Sequence, residues 1–176
     1  MPADTPAEKL ALAAIDADLQ ITGLISEGNA KARIPFSKIY AYVNDPNFTD
    51  TDDFEKSLAK DQAAQTDLDR LLEKSALLFM PKLAAASSGS VTRRETDDAL
   101  ITLTPSRAEP DQLYLQIEMK DLNAFVPTRM YARLDNTPWL RLNLPSFVNA
   151  KAQVLLSAGD KIAQIIAAPD GEVYLR

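Results

Sequence analysis

The chain has no cysteine and no histidine. The first absence removes disulfides, thiol nucleophiles, thiolate metal ligands and redox switching. The second removes every imidazole-based triad, along with the side chain that ordinarily titrates near neutral pH. Together they exclude the usual structural zinc sets. Glycine is scarce too, with five residues in 176, and none is grouped into a loop that would cradle a phosphate. Positive charge is in the minority. The 25 acidic residues outweigh 19 basic ones and leave a net charge of −6, which opposes capture of nucleic acid phosphates, so no nucleic acid partner is expected. The one adjacent basic pair, Arg93-Arg94, stands beside Glu95, Asp97 and Asp98 and reads as a solvated connector. No run approaches the roughly 18 uninterrupted apolar residues of a spanning helix. Met1 to Glu8 lacks a basic region followed by an apolar stretch. A cytoplasmic protein without membrane insertion is expected, although a chain already relieved of a signal sequence would read the same way.

What is present is ample apolar material, 46% of residues, enough for a packed core. Thr5-Pro6-Ala7-Glu8 combines a capping residue, a proline suited to the first helical position and a glutamate that can reach back to the cap. A helix is expected from there to Gly28, with Leu12, Ile15 and Leu19 on one face and Leu10, Ile21, Leu24 and Ile25 widening it. Pro35 can open a second helix in which Phe36, Ile39, Tyr40 and Val43 share a face, closed by Asp45-Pro46. The acidic run Thr49 to Asp53 favours a third, carrying Phe54 and Leu58. Asp61 can cap a fourth, with Leu68, Leu71, Leu72, Leu78 and Phe79 as its apolar face and Pro81 as its limit.

Beyond Ala84 to Ser90, which has the composition of a flexible linker, the period changes. Leu113, Leu115, Ile117 and Met119 alternate with Tyr114, Gln116 and Glu118, the repeat of a strand with one buried face. Thr128 to Leu134 and Trp139 to Leu144 do likewise, and Leu100 to Leu103 and Ala152 to Leu156 are further apolar runs. Pro169-Asp170-Gly171 is a turn signal between Ile162 to Ala167 and Glu172 to Leu175 and suggests a terminal hairpin. A short helix at Lys161 to Ala167, capped by Ser157 or Asp160, is the alternative. The expected class is α+β: a small N-terminal helical bundle (residues 1–83), a linker (84–98) and a C-terminal antiparallel β-sandwich or partly open barrel (99–176).

Patterns that could carry chemistry are incomplete. Ser57-Leu58-Ala59-Lys60 has the spacing of a serine nucleophile one helical turn from a lysine base, but neither S-D-N nor K-T-G accompanies it. Asp45, Asn47 and Asp50 lack the central glycine and bidentate glutamate of a calcium loop and suit helix capping better. Asp52-Asp53 and Asp97-Asp98 are adjacent pairs whose side chains diverge on a helix or a strand. Catalytic residues, metal ligands and cofactors are therefore not expected, and an enzyme would need a carboxylate site assembled only by the fold.

The segment from Phe36 to Leu72 resembles the N-terminal helical domain of anti-sigma factors. The residues that carry the resemblance are Ala41-Tyr42-Val43-Asn44-Asp45 closing one helix, Phe54-Glu55-Lys56-Ser57-Leu58 within the next, then Asp61, Leu68, Leu71 and Leu72. Pro46 stands where that family has a glycine turn, the histidine and cysteine ligands of its zinc-binding subgroup are missing, and no membrane helix follows Leu78. The resemblance implies a helical wedge that holds a sigma factor off RNA polymerase, with the β-rich part as sensor or scaffold. A non-catalytic protein-binding or regulatory protein is thus the leading expectation. The alternatives are a structural adaptor assembling through its β surface and the carboxylate enzyme.

Strand register gives one candidate interface. If Met130, Ala132 and Leu134 on one strand and Leu140, Leu142 and Leu144 on the next all face the core, Ala132 must lie opposite Leu140 and Met130 opposite Leu142. An odd-membered loop, most simply Asp135-Asn136-Thr137, follows. Arg133 then falls opposite Trp139 and Tyr131 opposite Arg141, with Tyr114 as an extension if its strand is adjacent. Tyrosine, tryptophan and arginine concentrate binding energy at interfaces, so these five residues are expected to meet a protein partner or a second copy of the chain. Ordinary packing against the helical half is the competing reading.

Overall fold

The computed structural model describes residues 33–49, 51–82, 92–121, 126–135 and 137–176. The helix expected from Thr5 to Gly28 and residues 84–91 of the expected linker (84–98) lie outside them, while Arg93–Glu95, within that expected linker, is a strand. Helix α1 (Phe36–Asn44) follows Pro35 and buries Ile39, Tyr42 and Val43, so Tyr42 rather than Tyr40 shares the core-facing stripe. Helix α2 (Thr51–Leu58) has Asp52 and Asp53 in its first turn and buries Phe54 and Leu58. Helix α3 (Gln62–Ser75) is capped by Asp61, whose carboxylate accepts the Ala64 N–H at 3.0 Å. These helices form where cap and periodicity placed them.

The last of the expected helical residues do something else. Ala76 is already extended, and Leu78–Met80 is strand β1. Its alternation puts Leu78 and Met80 into the core and Phe79 on the opposite face, with its ring 4.6 Å from that of Tyr174. The remaining strands are β2 (Arg93–Glu95), β3 (Ala99–Pro105), β4 (Gln112–Met119), β5 (Arg129–Leu134), β6 (Leu140–Asn143), β7 (Lys151–Ser157) and β8 (Gly171–Leu175). They form two antiparallel four-stranded sheets, ordered β1-β8-β5-β6 and β2-β3-β4-β7.

Between β7 and β8 the chain forms helix α4 (Lys161–Ala167), not the first strand of a terminal hairpin. Ile162, Ala163, Ile165 and Ile166 share one helical face, and that face packs into the apolar layer made by both sheets. Arg94 explains why the turn after α4 stays in place. It is 2% exposed, the reverse of a solvated connector, because its Nε donates to Ile166 O and Nη1 to Gly171 O, each at 2.9 Å, while Nη2 donates to Ala168 O. A cation thus caps the carbonyl end of α4 and pins it to the second sheet. Gly171 leaves the room this needs, since a Cβ there would lie 2.1 Å from Ile165 O.

The expected class needs correction in its architecture. Helices α1 to α3 do not form a bundle with a core of its own. Their apolar side chains share one cluster with Tyr131, Trp139 and Tyr174 of the first sheet. Helices of 9, 8 and 14 residues each present a single stripe, and short stripes need a broader apolar surface to cover. Among the described residues the helices are moreover interspersed with strands, and neither sheet closes.

Candidate functional site

The register deduced from the sequence is the one that forms: Ala132 lies opposite Leu140, Tyr131 opposite Arg141 and Met130 opposite Leu142. The ladder stops before Arg133 and Trp139, which meet instead by stacking, with the guanidinium 4.4 Å from the ring centre. What the sequence misplaced is the exposure of this face. Tyr131, Trp139 and Arg141 are 0%, 2% and 7% exposed, because α1 to α3 lie over them. Tyr114 does not join them, since β4 belongs to the other sheet, where Tyr114 pairs with Thr104 and Leu155.

The buried polar groups fasten the helical layer. Arg141 Nη1 donates to Tyr42 O at 2.6 Å and Nη2 to Asp45 O at 2.8 Å. Arg129 Nη1 and the Tyr131 hydroxyl both donate to Val43 O, at 2.6 and 3.1 Å. Arg176 donates to Asn44 Oδ1 and, at 2.6 Å, to Ser75 Oγ. Three arginines therefore gather at the carbonyl end of α1, where their charge opposes the negative end of the helix dipole. Burial lowers the pKa of Arg129 and Arg176 from the usual value, and burial raises that of Tyr131. On the other flank Arg133 bonds Glu172 at 2.6 Å and Asp69 at 2.7 Å, and Asp69 also accepts the Trp139 indole N–H at 2.5 Å. Arg94, Arg129 and Arg176 escaped sequence reasoning; the only trace was that Arg129 shares the alternating face of Tyr131 and Arg133.

Beside this cluster lies a cleft of about 700 Å3 between α2, the β5–β6 connection and α4. Leu134, Pro138, Leu140 and Ile165 supply its apolar floor, while Asp52, Glu55 and Lys56 stand on one wall and Lys161 and Gln164 on the other. Helical spacing puts Asp52, Glu55, Lys56 and Ala59 on one face of the α2 segment. Nothing in the sequence linked that face to Lys161, more than a hundred residues away. Glu55 joins the cleft to the buried cluster: its Oε1 accepts from the Tyr42 hydroxyl at 2.7 Å and from the Arg141 N–H at 2.9 Å. The second contact satisfies an N–H on the outer edge of β6. Burial raises the Glu55 pKa above its usual 4.5, partly offset by those two hydrogen bonds. Burial, followed by the Glu55 charge, holds the Tyr42 proton on well above the usual phenol range.

A pH dependence follows. A carboxyl whose pKa is higher folded than unfolded stabilises the protein while protonated, so that contribution is complete below 4.5 and is lost as pH rises through the folded value. We expect Glu55→Gln, whose amide oxygen still accepts from Tyr42 and Arg141, to flatten the melting temperature against pH above 4.5. Parallel curves for wild type and variant would contradict this.

The other sequence candidates have local roles. Ser57 donates its hydroxyl to Asp53 O at 2.8 Å, and Asp45 accepts the Asn47 N–H at 2.8 Å in a turn. Among the described residues no group of three or more acidic side chains is placed to hold a metal ion. The edge of β7 is bracketed. Lys151 exchanges backbone bonds with Val148 at 2.8 and 3.1 Å, and at the other end Ser157 N–H meets the Asp160 carboxylate at 2.7 Å. No described helix is long and apolar enough to cross a membrane. Comparison with protein-family models, curated proteins and solved structures finds no match.

Proposed function

We propose that this is a non-catalytic protein-binding protein whose cleft between α2 and α4 receives an apolar segment of a partner. The cleft itself carries the reading: an apolar floor at Leu134, Pro138 and Leu140 lies between charged walls, the layout of a recognition groove with a polar rim. Glu55, whose pKa burial raises, already serves as an acceptor holding α2 to β6. The segment that resembles anti-sigma factors supplies the α2 wall, so a sigma factor is the partner to test first. Assembly through the β surface is the less favoured reading, because the long edge of β7 is capped at both ends.

The test places a photo-cross-linking residue at exposed Ala59, beside the floor, and separately at exposed Thr104 on the second sheet. An adduct with one defined protein from position 59 alone, abolished when Lys161→Trp fills the cleft, is the expected result. Identical adducts from both positions, or none from 59, would overturn the proposal. A sigma factor in the adduct would identify the regulator.

A further inference from the structure

We infer that the cleft selects its partner segment by charge order, taking an apolar side chain with a basic group on the side toward α2 and an acidic group on the side toward α4. This rests on the cleft being a binding groove and specifies the chemistry of what enters it. Asp52 and Glu55 stand one turn apart on α2 and share the face that lines the cleft. Among the described residues the Asp52 carboxylate takes part in no ion pair. Glu55 uses Oε1 for both the Tyr42 hydroxyl and the Arg141 N–H, and its Oε2 meets no donor among the described residues. Lys56, the cation of the same wall, is held by Asp53 at 3.0 Å. The α2 wall is thus the negative one.

Across the apolar floor the balance is reversed. Lys161 takes part in no ion pair among the described residues, and Asp160 beside it turns its carboxylate to the Ser157 N–H at 2.7 Å. Gln164, the other polar side chain of that wall, carries no charge. Charges behind the floor are already matched, Arg133 with Glu172 and Asp69, and Asp135 with Lys82. A segment of the right charge order therefore gains an attraction at each wall, and one of the opposite order meets a repulsion at each, while the floor treats both alike. Burial of Glu55 strengthens the α2 side, because a partly desolvated carboxylate gains more from a docked cation than a hydrated one does.

Asp52→Lys with Lys161→Glu inverts this order and leaves the net charge at −6, so a bulk charge effect cancels. Peptides are selected by display against the full wild-type chain. A fluorescein-labelled selected peptide and its counterpart with basic and acidic residues exchanged are then titrated by anisotropy against both proteins. Wild type should prefer the selected peptide by at least tenfold, and the inverted protein should prefer the counterpart. Asp52→Asn with Lys161→Gln, which introduces no new charge, should shrink the preference. Circular dichroism verifies that each variant is folded; both positions are exposed. A selected peptide that lacks the flanking charges, or whose preference survives the inversion, would overturn the inference and leave the groove standing if Lys161→Trp abolishes its binding. Selected peptides that bind Lys161→Trp undiminished, or no selected peptide at all, would remove the groove reading and this inference with it.

Discussion

Replacing Arg94 by alanine should destabilise the protein by about 3 kcal/mol or more. Three carbonyls, of Ile166, Ala168 and Gly171, lose a charged donor at once, and each buried acceptor left unpaired costs roughly 1–3 kcal/mol. Removing a buried guanidinium returns part of this, because burial already lowers its pKa. The loss still dominates, since alanine also leaves a void between β2 and the turn before β8. At this chain length the melting temperature should fall by roughly 6–12 °C. Arg94→Lys should recover less than half of it, because one ammonium cannot reproduce a planar fork aimed at three acceptors. Urea denaturation of the three proteins measures the differences. A change below about 1 kcal/mol for Arg94→Ala would mean that α4 is held by its apolar face alone.

The second large effect is expected at Trp139. It is 2% exposed, its indole N–H is bonded to Asp69, its ring lies 5.1 Å from that of Tyr174, and Arg133 is stacked over it. Truncating a buried tryptophan to alanine costs about 3–5 kcal/mol. Trp139→Ala with Arg133→Ala should therefore loosen or unfold the chain, with loss of the cooperative transition seen by circular dichroism, and should not act by dissociating a partner from an intact fold. The two substitutions share Asp69, so they should be non-additive, with a coupling on the order of 1 kcal/mol. A double variant that melts like wild type but loses an association would return these residues to an exposed interface.

The part of this molecule legible in its sequence is the part fixed by neighbours along the chain. Asp61 caps the next helix whatever lies beyond it, Pro46 ends α1, and the alternation of Met130, Ala132, Leu140 and Leu142 determines the β5–β6 register, because a slip of one residue would turn every apolar side chain to the wrong face. Periodicity says which residues share a face but not what covers that face. The tyrosine, tryptophan and arginines opposite the core therefore read equally as an exposed interface or as a face packed against the helical half, and the tertiary structure makes them the floor on which α1 to α3 rest. Short apolar runs are ambiguous for the same reason: Leu78 to Met80 and Ile162 to Ala167 fit either element. Strand pairing with β8 decided the first, and the apolar layer with Arg94 at its end decided the second. The cleft belongs wholly to tertiary structure, since Glu55, Leu140 and Lys161 are far apart in the chain and only packing α2 and α4 on either side of the β5–β6 connection brings them to one place.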